Sequence, residues 1–123
     1  MRVIVVEDER RVREELVELF GLRGIAVKAV DSVQAALKAL HALHSPVMLL
    51  TDLRLSDGSG LDIIREIQRN EKLASKIFET IVMTGHTDIT EQMRKSLEEA
   101  GATILFKPVD IQMLLAMLGR APQ

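Results

Sequence analysis

The sequence predicts an α/β sandwich built on a five-stranded parallel sheet. Three observations carry this prediction. Five short apolar runs alternate with five stretches whose apolar residues recur at helical spacing. The first, third and fourth runs are apolar at consecutive positions, as strands covered on both faces are. Parallel strands joined by helical crossovers of one hand place helices on both sides of a single sheet.

The elements follow in order. Val3-Ile4-Val5-Val6 is the first strand, ended by Glu7-Asp8-Glu9. Val12, Leu16, Leu19 and Phe20 mark an amphipathic helix, which Gly21 and Gly24 close. Ile25 to Val30 is a second strand; Lys28 interrupts it, which suits an edge. Ser32 caps a second helix through Ala36, Leu37, Leu40 and Leu43, ended by Ser45-Pro46. Val47 to Asp52 is the third strand, followed by a loop carrying Gly58 and Gly60. Leu61, Ile63, Ile64 and Ile67 give a third helix with a wide apolar face, and a polar stretch from Arg69 to Lys76 follows. Ile81 to Thr84 is the fourth strand and Gly85-His86-Thr87 a turn. Asp88 with Glu91 fits a capping box for a fourth helix through Ile89, Met93, Leu97 and Ala100. Ala102 to Phe106 is the fifth strand, and Asp110 caps a last helix, Ile111 to Leu118.

Composition narrows the function. A chain of 123 residues is one domain, expected over residues 1–120, with 121–123 a tail or the start of a linker. A net charge of −2 and 2% aromatic content, with no Trp or Tyr, argue against direct nucleic-acid binding. The absence of cysteine excludes disulfides, thiolate catalysis and Cys-ligated zinc. No apolar run approaches the roughly 20 residues of a membrane span, so a cytoplasmic protein is expected.

The chemistry gathers at one edge. In a parallel sheet wound this way, the carboxyl ends of the strands lie together. Glu7-Asp8, Asp52, Thr84 and Lys107 occupy four of those ends. Singly, each reads as a solvated loop, a turn former or an exposed charge. Those readings do not predict acids, a hydroxyl and a lysine together. Crowded carboxylates repel unless a cation joins them, and oxygen-only ligands suit Mg²⁺. Asp52 then reads as a nucleophile toward a phosphoryl group, with Thr84 and Lys107 each taking one phosphoryl oxygen.

On these residues the chain resembles the receiver domains of two-component response regulators over essentially its whole length. The resemblance rests on Glu7-Asp8, Asp52, Gly60, Thr84 and Lys107-Pro108. It implies a flavodoxin-like (βα)5 fold with strand order 2-1-3-4-5, and a cis Lys107-Pro108 bond. It also implies phosphorylation of Asp52 by a histidine kinase or phosphotransfer protein. Mg²⁺ would be held by Glu7 or Asp8, Asp52 and the backbone carbonyl of Arg54. Positions equivalent to Arg54 and His86 tend to tune aspartyl-phosphate lifetime in that family.

The chain departs from the family at two places. Glu7 stands where many members carry Asp. The usual switch aromatic falls at Ile104, an aliphatic residue, while Phe106 lies two residues on and faces the same side. Either Phe106 replaces the moving ring, or the ring mechanism is absent and coupling runs mainly through Thr84; the plain alternative is that Phe106 is core. The last helix has Gln112 as its one polar residue. With Ile111, Leu114, Leu115 and Leu118 toward the sheet, Met113, Ala116 and Met117 are expected to meet a partner or second copy. The face formed by the fourth helix, fifth strand and fifth helix is thus the expected output surface.

The expected function is a phosphorylation-dependent switch and not a turnover enzyme. The alternative is a receiver-shaped interaction module that is never phosphorylated. A haloacid-dehalogenase-like phosphatase requires a second Asp two residues after its nucleophile, and Arg10 stands there instead. A dinucleotide-binding fold requires glycines after the first strand, where this chain has acids.

Overall fold

In the computed structural model, every residue of the strand Val47–Asp52 is buried, and this strand occupies the middle of the sheet. The structure describes residues 2–119, so the expected tail or linker at 121–123 lies outside the described residues. The elements are β1 (Arg2–Val6), α1 (Arg10–Gly21), β2 (Ala26–Val30), α2 (Val33–His41), β3 (Val47–Asp52), β4 (Arg54–Leu55), β5 (Gly58–Ser59), α3 (Gly60–Arg69), α4 (Glu71–Ala74), β6 (Ile77–Thr84), α5 (Glu91–Glu99), β7 (Thr103–Phe106) and α6 (Ile111–Leu118). The main sheet is parallel, in the order β2-β1-β3-β6-β7. With the two-residue strands β4 and β5 set aside, this is the expected flavodoxin-like order 2-1-3-4-5.

Strand alternation divides the core by face. Val3, Val5, Met48, Leu50, Ile81 and Met83 point to one side and meet Leu16 and Phe20 of α1 and Leu114, Met117 and Leu118 of α6. Ile4, Val6, Val47 and Leu49 point to the other, against α2, Ile63 and Ile67 of α3, and Leu73 of α4. A third cluster joins Leu53, Val82, Leu61 and Ile64 of α3, and Leu97 of α5. The wide apolar face of α3 therefore serves two clusters at once.

Local signals missed three features. Asn70 caps the single turn α4 within a stretch expected to be a plain link; its side chain accepts from Lys72 and Leu73 N–H. Strand β6 begins at Ile77 rather than Ile81. The cap of α5 is Thr90, whose hydroxyl accepts from Met93 N–H at 3.1 Å, not Asp88. The Asp88 carboxylate instead pairs with Arg54, which a local capping pattern does not anticipate.

The last helix corrects a further expectation. Met117 is 4% exposed and belongs to the sheet-facing cluster, so it is not on an outer face. It lies three residues after Leu114 and one before Leu118, and the three share a stripe. Met113 and Ala116 do face outward, and Met113 is 47% exposed. Truncating Met117 to Ala is expected to cost about 2–5 kcal/mol in urea unfolding. Met113→Ala should change stability by less than about 0.5 kcal/mol. Equal losses at the two positions would contradict this packing.

Candidate functional site

The ends of β1, β3, β6 and β7 bring the polar groups together. Asp52, the last residue of β3, is 8% exposed. Lys107 follows β7, and its Nζ lies 3.1 Å from Asp52 Oδ2 and 3.6 Å from Glu7 Oε1. Residues 55 and 100 positions apart in sequence thus meet because β1, β3, β6 and β7 are neighbours in the sheet. Thr84 ends β6 and is buried, and Lys107 N–H donates to its carbonyl at 2.9 Å. The Lys107-Pro108 bond is cis, as the resemblance implied.

The acids are crowded. One oxygen from each of Glu7, Asp8 and Asp52 lies within 4.8 Å of the others. Glu7 is 1% exposed; its Oε2 accepts from Glu9 N–H at 3.2 Å, while Oε1 is buried without a hydrogen-bond partner. Burial, and then the charge of Asp52, push Glu7 up to about 7 from an ordinary 4.5. Burial alone would lower Lys107, but hydrogen bonding and charge from Asp52 and Glu7 outweigh it and hold the ammonium above its ordinary range. An orphaned buried carboxylate oxygen in an all-oxygen cluster fits a hard divalent cation such as Mg²⁺. Glu7, Asp8 and Asp52 are the side chains that would hold it, with the Arg54 carbonyl the remaining expected ligand.

The loop after β3 is fixed tightly. Gly60 N–H donates to Leu53 O at 2.8 Å, and a Cβ at Gly60 would fall 2.8 Å from the Asp52 carbonyl oxygen. Only a glycine lets α3 start this close to the strand end. Ser59 and Asp62 form a capping box on α3. Asp57 reaches away to α2, its carboxylate accepting from Val33 N–H at 2.7 Å and Gln34 N–H at 3.1 Å. Those two bonds hold the Asp57 carboxyl below its ordinary value. No short-range pattern joins Asp57 to a helix two dozen residues earlier.

The loop after β6 is held differently. Thr84 Oγ1 donates to Gly85 O at 3.1 Å. Arg54 Nη1 donates to Asp88 Oδ1 at 2.8 Å, tying this loop to β4. The His86 ring stacks on Phe106, with centroids 4.1 Å apart and planes 5° from parallel. Phe106 is 38% exposed and outside all three core clusters, so it is not plain core. Ile104 packs against the α3–α5 cluster. Both residues singled out after Asp52 and Thr84, Arg54 and His86, therefore make side-chain contacts across the mouth of the site.

Comparison with known proteins agrees with this geometry. The family model described as the response regulator receiver domain matches residues 3–119. A response regulator receiver protein from Pseudomonas putida is 32% identical, with a TM-score of 0.85, covering 98% of this chain and 96% of its own. FixJ-N is 30% identical with a TM-score of 0.79, covering 97% of this chain and 90% of its own. The response regulator StyR is 28% identical with a TM-score of 0.78; the match covers 97% of this chain but 57% of StyR. Curated proteins give no match. With four strand ends converging as that family requires and a family match over nearly all of its length, the chain belongs to the response regulator receiver domains.

Proposed function

We propose that this receiver domain accepts a phosphoryl group on Asp52 and uses it to change the surface around α5, β7 and α6. The observation that carries the reading is the Lys107 ammonium seated 3.1 Å from Asp52 within the Glu7–Asp8–Asp52 cluster. The donor is a phosphohistidine on a histidine kinase or phosphotransfer protein, or a small acyl phosphate. An ionised Asp52 oxygen attacks phosphorus in line as the bond to the donor breaks, giving a mixed anhydride. The departing imidazole or acetate carries the electron pair away. Lys107 and the Thr84 hydroxyl donate to the phosphoryl oxygens. Bound Mg²⁺ would supply further positive charge to the transferred group. The chain does this once per phosphoryl group and is not a turnover enzyme.

The output is a shift between two populated states. Phe106 and Met113 are large apolar side chains left exposed on the α5–β7–α6 face. A second copy of the chain or an effector covers them in the phosphorylated state. No helix among the described residues is long and apolar enough to cross a membrane.

Glu7 ties the site to pH. Its folded value of about 7 lies above the ordinary 4.5. Between those values the folded chain binds more proton than the unfolded chain, so stability falls as pH rises through this window. Above it the full cost of an ionised, buried Glu7 is present, and a divalent cation relieves it.

Three outcomes follow from this reading. Incubation with Mg²⁺ and acetyl phosphate should add one phosphoryl mass to the protein and none to Asp52→Asn; no adduct from any donor would leave the unphosphorylated interaction module standing. Glu7→Gln should stabilise the cation-free protein by on the order of 1–3 kcal/mol at pH 8, with the gain fading toward pH 4.5. A gain independent of pH would show that Glu7 is not the source. Sedimentation velocity should detect a larger species after phosphorylation that Met113→Glu weakens; if the phosphorylated chain stays monomeric at high concentration, self-association through this face is wrong.

A further inference from the structure

The Thr84 hydroxyl has one proton, and it is already committed. It donates to Gly85 O, inside the turn that carries His86. A hydroxyl cannot donate to that carbonyl and to a phosphoryl oxygen at once. Engaging a phosphoryl group therefore strips the Gly85 carbonyl of this partner and leaves it Asp88 N–H at 3.1 Å, so the Gly85–His86 peptide is held less firmly. His86 lies at the far end of that peptide, stacked on Phe106.

We propose that His86 and Phe106 are positioning residues whose stacked rings couple the Thr84 hydroxyl to the outer end of β7, in place of an aromatic side chain at position 104. The inference rests on the phosphoryl-acceptor reading above. The pair sits where both phosphoryl-binding groups can act on it. His86 is two residues beyond Thr84, and Phe106 immediately precedes Lys107. Thr84 and Phe106 are register partners across β6 and β7. Lys107 N–H on Thr84 O ties the backbones of the two strand ends at 2.9 Å. When Thr84 and Lys107 turn toward a phosphoryl group, each pulls on the backbone beside one of the two rings.

The neighbouring position does not offer this route. Ile104 packs with Leu97 and Met93 against the α3–α5 cluster, so its motion would disturb packed core. Phe106 belongs to no core cluster and meets solvent on one side, so it is free to shift without such disturbance. Its exposed ring lies on the same β7 edge as the proposed output face. The stack thus joins a buried hydrogen-bond exchange to a surface that a partner can read.

The experiment uses the full chain labelled with 4-fluorophenylalanine. Three fluorine resonances are expected, from Phe20, Phe78 and Phe106, and the last is assigned by Phe106→Leu. Mg²⁺ and acetyl phosphate are added, and intact mass is read on the same sample. The Phe106 resonance should shift as the adduct forms, while that of buried Phe20 stays in place. His86→Ala should accept phosphate yet leave Phe106 at one position in both states, and His86→Tyr should restore the response. A stationary Phe106 resonance in a sample that carries the adduct overturns the coupling alone. So does a His86→Ala variant that responds like the parent. If no adduct forms, the acceptor reading fails and the coupling falls with it.

Discussion

One ammonium among three carboxylates is the constraint around which the site is arranged. Lys107 touches Asp52 and Glu7 directly, and Asp8 shares their cluster. Without that cation the crowded carboxylates would have no opposing charge beside them, which favours protonation within the cluster. Even with it, Glu7 remains raised to about 7, so the pocket is still short of positive charge. That residual deficit is the physical reason a divalent cation suits the cluster.

The fold delivers this arrangement through strand order. Placing β3 between β1 and β6 sets Asp52 beside Glu7 on one side and Thr84 on the other, and β7 adds Lys107. Asp52 and Thr84 end strands whose immediately preceding residues are buried, and Glu7 follows another. The strand ends thus inherit rigidity from burial and contribute polarity only where the sheet stops. Gly60 completes the frame, because it alone lets α3 begin against the Asp52 carbonyl.

Strand runs, helix stripes and the four polar strand ends were legible because each rests on short-range periodicity. The convergence of Glu7, Asp52 and Lys107 was legible at one remove, since a doubly wound sheet collects its carboxyl ends. What escaped notice has no local signature. Asp57 on the start of α2, Arg54 on Asp88 and His86 on Phe106 are contacts between elements distant in sequence. Met117 was misassigned because a helix with apolar residues on nearly every side does not reveal which stripe packs inward. Asp88 offered a plausible cap, yet Thr90 sits nearer the helix start and takes that role.

The strengths of those distant contacts divide the site into a fixed part and a movable part. Asp57 accepts two backbone N–H bonds and Ser59 heads a capping box, so the loop after β3 is pinned to two helices. Besides the Thr84 hydroxyl and Asp88 N–H on Gly85 O and the packing of Ile89, the loop after β6 is held by a partly exposed ion pair and one aromatic stack. Exposed ion pairs are worth about 0.2–1 kcal/mol, and aromatic pairs about 0.5–1.5 kcal/mol. Their sum is of the same order as the roughly 1–3 kcal/mol of coupling that conformational switches display. A loop bound by core burial would need far more than one phosphoryl group supplies to move it. A loop bound by nothing would give the phosphoryl group no state to select against. The segment from Gly85 to Thr90 lies between these limits.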